Sequence, residues 1–436
     1  MVTKVNNEFL DIFELAKNIF PLNRSLTGNG VRDTLELIKD LIPEVNVYEV
    51  ASGTKAFDWT IPQEWNIESA YLEGPDGRKI CDYKQNNLHL VGYSEPVSKL
   101  MTLSELQPHL HSLPDQPNAI PYVTSYYGNT WGFCITEIER SKMVDGVYKV
   151  HIKGSKVKGS LTYADVVLKG KSTKEVLFST YICHPSMANN ETSGICVLTF
   201  LAKWVAGLSN RFYTYRFVFI PETIGSIYYL SRHLKHLKKN VVAGFNVTCI
   251  GDERCFSFLP SRNGNTVSDR VSMHVLKKMD PNYKTYKWSN RGSDERQYCA
   301  PGVDLPIASI MRSKYGEYPE YHTSLDTLGA VVTRNGLLGG LNALKESVMC
   351  LESNYFPLIK TIGEPQLSKR KLYPKTSIKS NQELARIYLD LTTWSDGTKS
   401  LLDIAENMGV YMLEILPHLM ILEENKLVTL NRMPVK

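Results

Sequence analysis

The chain has 436 residues, 43% hydrophobic and 22% charged, which indicates a folded globular protein with room for two or three domains. Its net charge of +5 is spread thinly along the sequence and so does not argue for a nucleic-acid or membrane partner. The eight cysteines include no C-x-x-C pair, so a zinc ribbon is disfavoured and buried, reduced thiols are expected.

The N-terminal residues lack the apolar core of a signal peptide, and no apolar run in the sequence is long enough to span a membrane. We therefore expect a cytoplasmic protein.

The first part of the chain alternates between helix and strand patterns. Amphipathic helices are predicted over residues 8–19 and 31–41, and a strand over 45–50. From about residue 59 to 113 the pattern changes to short strand-like pieces, such as 68–73 and 88–93, separated by turn residues. This stretch is predicted to be an inserted, mainly β subdomain.

Strands and helices then alternate, which indicates an α/β fold with a doubly wound, mainly parallel sheet covered on both faces. The predicted strands are 148–152, 162–168, 176–182, 215–220, 241–250 and 305–311. The predicted helices are 195–205, 227–237, 268–278 and 336–351.

The C-terminal part follows a linker that contains several prolines. Residues 379–430 resemble three helices and a short hairpin, the pattern of a winged helix. The predicted recognition helix, 411–424, carries no Lys or Arg but has three glutamates, so we expect no nucleic-acid partner and instead a surface for packing, a protein partner or self-association. The expected domains are thus 1–58 with 114–353, the insertion 59–113, and the linker with the winged helix, 354–436.

Polar side chains follow several of the predicted strands. His184 comes directly after the strand 176–182, and Glu222, Asp252 and His322 stand in loops that follow later strands. Ligands gather at the carboxyl edge of open α/β sheets, and imidazoles with carboxylates suit Zn²⁺. Each residue also has a structural interpretation: a buried or loop histidine, a charge at a helix start, or a turn cap. Their agreement within one α/β array favours a metal site.

The order of these motifs resembles the zinc aminopeptidase clan of bacterial leucyl aminopeptidases. The stretches that carry the resemblance are His184, 190–194, Glu222, Asp252, 292–294 and 322–327. The chain is more closely similar to a bacterial aminopeptidase-like family with an inserted β domain and a C-terminal winged helix. The closer match rests on residues 65–67, 183–186, 221–226 and 363–367. The resemblance implies a doubly wound zinc-peptidase fold, and its members' association with surface-polysaccharide biosynthesis implies such a link here.

The resemblance also implies roles for individual residues. Glu222 corresponds to the catalytic base, and the metal ligands would be His184, Asn190, Asp252 and His322; if Glu222 is itself a ligand, the base must come from elsewhere. Asp294 and Asp326 would orient the ligands, and Arg291 would bind a substrate carboxylate or lie on the surface.

Two positions depart from the clan. Asn190 replaces a bridging aspartate, and Thr223 follows Glu222 where the clan has a second glutamate. Because a neutral amide cannot offset two dications, one zinc ion is expected rather than two. Glu191, next to Asn190, is a candidate to supply the missing carboxylate and is counted with Glu222 among the catalytic candidates.

The sequence therefore predicts a zinc-dependent aminopeptidase-like hydrolase acting on a small peptide or an aminoacyl-amide bond. The first alternative is a metal-binding protein without peptidase activity, a scaffold or a modified enzyme, which the two departures favour. The second is a DNA-binding regulator, which the acidic recognition helix disfavours.

Overall fold

The structure, a computed structural model, describes residues 11–373 and 379–435. The part of the predicted helix 8–19 that precedes residue 11 lies outside the described residues. The helices in the described ranges are α1 (Ile12–Ile19), α2 (Asn29–Leu41), α3 (Leu103–Leu106), α4 (Glu137–Ser141), α5 (Ser193–Ala206), α6 (Ile224–Asn240), α7 (Val267–Met279), α8 (Glu295–Tyr298), α9 (Arg334–Glu352), α10 (Lys379–Trp394), α11 (Leu401–Met408) and α12 (Met412–Glu424).

The strands fall into one large sheet and several small ones. They are β1 (Asn46–Ala51), β2 (Lys55–Ala56), β3 (Trp59–Thr60), β4 (Glu64–Glu73), β5 (Lys79–Asp82), β6 (Val97–Thr102), β7 (Leu110–His111), β8 (Phe133–Cys134), β9 (Val147–Val157), β10 (Ser160–Leu168), β11 (Glu175–Tyr181), β12 (Thr214–Ile220), β13 (Val241–Asn246), β14 (Ser257–Leu259), β15 (Lys284–Thr285), β16 (Ile307–Met311), β17 (Phe356–Ile359) and β18 (Val428–Asn431).

The large sheet has the order β1-β10-β12-β11-β13-β16-β14-β15. Its centre, β12-β11-β13-β16, is parallel, while β1 and β10 are antiparallel additions at one edge. Every residue of β11 and β12 is buried, as expected for strands covered on both faces, and this explains their continuous β-prone, largely apolar sequences. The predicted α/β fold with a mainly parallel sheet is confirmed.

The chain reverses direction across this sheet. It passes from β11 to β12 on one side and then returns to β13 on the other side of β11. Such a reversal opens a crevice at the carboxyl ends of the adjacent strands, here β11 and β13. The loops after β11, β12, β13 and β16 therefore meet at one edge.

A separate antiparallel sheet has the order β5-β4-β9-β6. Its strand β9 lies beyond the stretch 59–113 that was expected to form the insertion. The strand expected at 88–93 is not formed, because residues Asn87–His89 make a 3₁₀ turn instead. The Asn86 side chain accepts a hydrogen bond from the Leu88 backbone N–H at 2.9 Å, a local bond that competes with strand pairing.

The chain divides into two compact units. The larger contains the stretches up to Asp269 and Asn282–Asn342, and the smaller contains Arg270–Pro281 and the residues from Ala343 onwards. Among the described residues, no helix combines the length and apolar character needed to cross a membrane.

The smaller unit contains a winged helix made of α10, α11, α12 and β18. Ser400 caps α11 in a reciprocal arrangement with Asp403, and Gly409 ends that helix in the left-handed conformation that glycine favours. The expected terminal hairpin is not formed, since β18 pairs instead with β17, in the stretch predicted to be a linker. The winged helix itself is as predicted.

Candidate active site

His184 stands just past the end of β11 and is 4% exposed. Its Nδ1 atom lies 3.3 Å from the sulfur of Cys183, and its backbone carbonyl accepts a hydrogen bond from Arg24 at 2.5 Å. Burial, followed by the nearby His322 and Arg24, lowers the pKa of His184 well below its ordinary value. The imidazole is therefore neutral at physiological pH.

Glu222 follows β12 at a tight turn. Thr223, the next residue, has a φ of 63°, a left-handed conformation that is rare for a β-branched residue. Two contacts hold the turn: the Thr223 N–H donates to Asp294 Oδ1 at 2.8 Å, and Arg296 donates to the Thr223 hydroxyl at 2.9 Å. The turn directs Glu222 towards His184, with 3.9 Å between Oε2 and Nε2.

Two carboxyl groups lie at this turn. Burial and the neighbouring Asp294 raise the pKa of Glu222, and burial raises the pKa of Asp294. Oδ2 of Asp294 is buried and finds no hydrogen-bond partner within the described ranges. Arg296, a residue that the sequence did not single out, lies 3.9 Å from Glu222 Oε1 and partly offsets this negative charge.

Asn190 and His322 complete the pocket. His322 Nε2 donates to Asn190 Oδ1 at 3.1 Å, and the rings of His322 and His184 are 5.4 Å apart between centroids. Tyr321 stacks on the His322 ring at 3.8 Å. Burial lowers the pKa of His322 to about 4, so this imidazole is also neutral. The structure thus brings together four of the predicted residues, His184, Asn190, Glu222 and His322.

Two tyrosines from a segment without assigned function also face the pocket. The centroid of the Tyr122 ring is 5.2 Å from the ring centroids of both His184 and His322. The backbone N–H of Tyr122 donates to the His322 carbonyl at 2.9 Å. The Tyr122 and Tyr126 hydroxyl groups are hydrogen-bonded at 2.6 Å. Sequence reasoning missed both; the concentration of tyrosines between residues 122 and 127 was the only available signal.

Glu191 points away from the pocket and is fully buried. Its carboxylate accepts from the hydroxyl groups of Thr180, at 2.9 Å, and Thr248, at 2.5 Å. Gly194 permits this packing, because a Cβ there would lie 1.5 Å from Glu191 Oε1. Burial raises the pKa of Glu191 well above its ordinary value. In this position the Glu191 carboxyl group links β11 to the loop after β13 rather than facing a ligand.

Asp252 and Asp326 bind the loop that carries Asn190. Asp252 accepts from the Asn189 side chain at 3.0 Å and from both the backbone and the hydroxyl of Ser313. Asp326 accepts from the backbone N–H groups of Asn189 and Asn190 at 2.8 and 3.0 Å. Both therefore position the loop, which is the orienting role expected for Asp326 but differs from the ligand role expected for Asp252.

Arg291 lies outside the pocket. Its guanidinium group stands over the Trp288 ring, 5.2 Å from the centroid, and the residue is exposed. Of the two interpretations given for Arg291, this position corresponds to a surface arginine.

Left-handed, non-glycine residues recur around the pocket. They are Ser186, Thr223, Cys249 and His322, each with φ between 48° and 63° and each in a loop that follows a strand of the parallel centre. Such costly conformations persist only where the surrounding structure holds them, and these four lie in loops that meet at one edge of the sheet.

The residues do not fit a resident metal ion as arranged. No group of three or more His, Cys, Asp or Glu side chains is placed to hold a metal anywhere in ranges 11–373 and 379–435. His322 Nε2 is bound to the neutral amide of Asn190, and the Asp252 oxygens are hydrogen-bonded to Asn189 and Ser313. The four predicted ligands therefore do not form one coordination shell.

Comparison with family models assigns the chain to a protein family. Residues 13–354 match the model of a domain of unknown function, DUF4910. The chain belongs to this family. Residues 356–430 match a winged helix-turn-helix model, in agreement with the α10–β18 fold.

A relative and several solved structures agree with this assignment. The chain is 42% identical, over 92% of each sequence, to a Clostridium acetobutylicum protein whose name assigns it to polysaccharide biosynthesis with an aminopeptidase-like domain. A crystal structure from the same organism, assigned as a peptidase, has a TM-score of 0.90, with 40% identity and 96% of each chain covered.

More distant structures share the fold alone. A zinc aminopeptidase from Bacillus subtilis has a TM-score of 0.55 at 14% identity and covers 78% of this chain and 94% of its own. An M28 peptidase precursor from Shewanella amazonensis has a TM-score of 0.53 at 12% identity and covers 78% and 92%. The aminopeptidase-like fold predicted from the sequence is confirmed.

Proposed function

We propose that this chain is an aminopeptidase-like protein that binds the primary amine of a peptide or an aminoacyl conjugate beside Glu222, without a resident metal ion. The His322–Asn190 hydrogen bond carries the proposal. Nε2 of His322 is hydrogen-bonded to the neutral amide of Asn190, at a position where a divalent cation would need a negatively charged group. The fold is aminopeptidase-like, and among the described residues no three His, Cys, Asp or Glu side chains are placed to hold a metal ion.

Glu222 is the group that an amine would meet. Its side chain is 20% exposed, and its contacts with His184 and Arg296, at 3.9 Å, are longer than hydrogen bonds. The carboxyl group can therefore pair with an incoming ammonium group, whose positive charge favours the ionised form that burial and Asp294 disfavour. The Tyr122 ring, 5.2 Å from both histidine rings, adds an aromatic group beside the site.

The name of the Clostridium acetobutylicum relative supports a place in surface-polysaccharide biosynthesis. The ligand is then an aminoacyl or amino-bearing intermediate of that process.

Zinc-dependent hydrolysis of a peptide or aminoacyl-amide bond, with Glu222 as base, is the second candidate. It is favoured by the 5.4 Å between the His184 and His322 rings, which is within common reach of one ion. The zinc aminopeptidase among the structures of similar fold also favours it. Against it stands the finding that, in the part of the chain that the structure describes, no third His, Cys, Asp or Glu side chain is placed to complete a metal site.

Calorimetric titration with alanine amide tests the proposal. Wild-type protein is expected to bind it and to reject N-acetylalanine amide, which lacks the amine. Glu222→Gln is expected to bind alanine amide at least tenfold more weakly, since about 1.4 kcal/mol of charge-assisted bonding is lost. Glu36→Gln, an exposed site on α2, makes the same charge change and should leave affinity unaltered. Equal affinity of wild type and Glu222→Gln would overturn the proposal.

Metal analysis separates the two candidates. Protein incubated with zinc and then dialysed is expected to retain less than one ion per chain and to leave alanine p-nitroanilide uncleaved. One retained ion per chain, together with turnover that Glu222→Gln abolishes, would establish the second candidate instead.

A further inference from the structure

Arg296 presents a positive charge directly beside Glu222. Its guanidinium lies 3.9 Å from Glu222 Oε1, and the two side chains are 40% and 20% exposed. In the described part of the chain, Glu222 is the one carboxyl group at ion-pair distance from Arg296. The two groups stand too far apart for a hydrogen bond, so each keeps its bonding capacity. The site therefore offers a ligand one anion and one cation side by side.

Two hydrogen bonds hold the guanidinium group in place. Nε donates to the Ser293 carbonyl at 3.1 Å, and Nη2 donates to the Thr223 hydroxyl at 2.9 Å. Both partners are anchored in turn, since Ser293 is buried and the Thr223 backbone N–H donates to Asp294 at 2.8 Å. The charge of Arg296 is thus oriented before any ligand arrives, which lowers the entropy cost of binding one.

The remaining N–H groups of Arg296 are not used by the protein. Across residues 11–373 and 379–435, no group accepts a hydrogen bond from Nη1, and Nη2 has a second N–H besides the one bound to Thr223. A guanidinium group recognises a carboxylate through such N–H groups, which lie in one plane and can donate in pairs. Arg296 is therefore prepared to bind a carboxylate.

The position of Arg296 corresponds to a role that the sequence offered to Arg291. Arg291 is exposed and stands over the Trp288 ring, outside the pocket. Arg296 follows five residues later and is the arginine that lies beside Glu222. The structure thus moves the candidate for a substrate carboxylate from the first arginine to the second.

The spacing limits the size of the ligand. An ammonium group on Glu222 and a carboxylate on Arg296 would each stand about 2.8 Å from the protein group that binds it. With 3.9 Å between the two side chains, the two charges of the ligand lie within about 12 Å of each other. A peptide extends by about 3.5 Å per residue, so this distance spans roughly one to three residues.

We propose that Arg296 binds a carboxylate of the ligand while Glu222 binds its amine, so that the site selects an amino acid or a short peptide with both charges free. This inference rests on the proposed function for the amine end of the ligand. The carboxylate end rests on the position of Arg296 and on its unused N–H groups.

Calorimetric titration with two matched dipeptides tests the carboxylate end. The probes are alanyl-alanine and alanyl-alanine amide, which differ in the charge of the C-terminal group. Wild type is expected to bind alanyl-alanine about tenfold more tightly than its amide, the scale of one charge-assisted hydrogen bond. Arg296→Gln should lower the affinity for alanyl-alanine about tenfold.

The same variant should act in the opposite direction on the amide. Arg296 competes with an incoming ammonium group for Glu222, so its removal is expected to raise the affinity for alanyl-alanine amide about two- to fivefold. A variant that only disturbed the Thr223 turn would weaken both probes. Arg296→Lys keeps the charge without the planar donor groups and should retain part of the preference for alanyl-alanine.

Arg291→Gln serves as the matched control. It makes the same charge change at an exposed arginine outside the pocket and should leave both affinities unaltered. Thermal unfolding of each variant verifies that the fold is intact.

A third probe separates this inference from the proposed function. N-acetyl-alanyl-alanine keeps the carboxylate but lacks the amine, and it is expected to bind wild type at least tenfold more weakly than alanyl-alanine. Glu222→Gln should weaken alanyl-alanine and its amide alike.

Each result bears on one end of the ligand. If Arg296→Gln binds alanyl-alanine as tightly as wild type, or weakens both dipeptides equally, the carboxylate subsite is overturned, while the loss of both dipeptides in Glu222→Gln would still support the amine function. If N-acetyl-alanyl-alanine binds as tightly as alanyl-alanine and Arg296→Gln weakens both, the subsite stands and the proposed amine function fails. If wild type binds none of the probes, both fail.

Discussion

Asn190 and His322 meet in a hydrogen bond of 3.1 Å between Oδ1 and Nε2, and the same amide donates to the Tyr181 hydroxyl and, at 3.3 Å, to the Cys249 sulfur. The amide is thus held from both ends. Its oxygen is neutral and already accepts from an imidazole, so the amide itself supplies no negative charge for a divalent cation.

Asn190→Asp should convert the pocket towards a metal site. A carboxylate at this position faces two neutral imidazoles whose rings are 5.4 Å apart. Zinc affinity is expected to rise by about tenfold or more, the scale on which single groups at metal sites act. Titration calorimetry with Zn²⁺ measures the change.

Asn46→Asp is the control, because Asn46 is exposed on β1 and adds the same charge away from the pocket. If Asn190→Asp and Asn46→Asp bind zinc equally, the histidines are not available to an ion. The neutral amide of Asn190 is then not what keeps zinc from the pocket.

Glu222→Gln should stabilise the fold. The carboxyl group of Glu222 lies near the buried Asp294, and its nearest charged partners stand at 3.9 Å. A neutral amide of the same shape removes this repulsion. Unfolding in urea is expected to show a gain of about 0.5–2 kcal/mol, typical of neutralising a functional site. Glu36→Gln should change stability by less than about 0.5 kcal/mol. A less stable Glu222→Gln protein would mean that the carboxylate is a structural group.

The sequence predicts the pocket residues that stand close to strand ends. His184 and Glu222 come directly after β11 and β12, and parallel strands bring their carboxyl ends to one edge. His322 lies in the longer loop that follows β16 and reaches the pocket from there. The same rule placed Asp252 there because the strand was predicted to run from 241 to 250. β13 ends earlier, at Asn246, so Asp252 lies further along the loop, where it contacts Asn189 and Ser313.

Long-range pairings explain what the sequence did not show. Tyr122 reaches the pocket because Pro121 forms an isolated bridge with Thr323, about two hundred residues along the chain. β9 joins the small sheet, and β17 joins the winged helix, through partners about 70 to 95 residues away in the sequence. Hydrophobic periodicity reports which face of an element is buried, but not which element it meets.

Arg32→Gln should destabilise the fold in a pH-dependent manner. Arg32 donates to both oxygens of Glu64, at 2.7 and 2.8 Å, and this pairing lowers the pKa of Glu64 to about 2. A depressed carboxyl pKa stabilises the fold above the unfolded value, near 4.5, and that contribution is lost as the pH falls towards 2. At pH 7 the variant is expected to lose about 1–2 kcal/mol. Urea unfolding at pH 7 and pH 3 measures the loss, which should be smaller at pH 3.

Arg78→Gln is the comparison for that experiment. Arg78 contacts Glu139 at 3.1 Å, but its side chain is 58% exposed. Solvent-exposed pairs contribute less than about 1 kcal/mol, so this variant should stay close to wild type at both pH values. Equal losses of unfolding free energy for Arg32→Gln and Arg78→Gln would show that the Arg32–Glu64 pair stabilises the fold no more than an exposed pair does.

The winged helix should not bind DNA. α12 exposes Glu414, Glu423 and Glu424, which repel phosphates at the position of a recognition helix. Fluorescence anisotropy with a labelled duplex at physiological salt is expected to give no binding stronger than about 10⁻⁴ M, the weak end of non-specific affinity. The double variant Glu423→Lys with Glu424→Lys reverses two of these charges and should gain weak binding that disappears as salt is raised. Saturable, salt-sensitive binding by wild type would contradict the prediction.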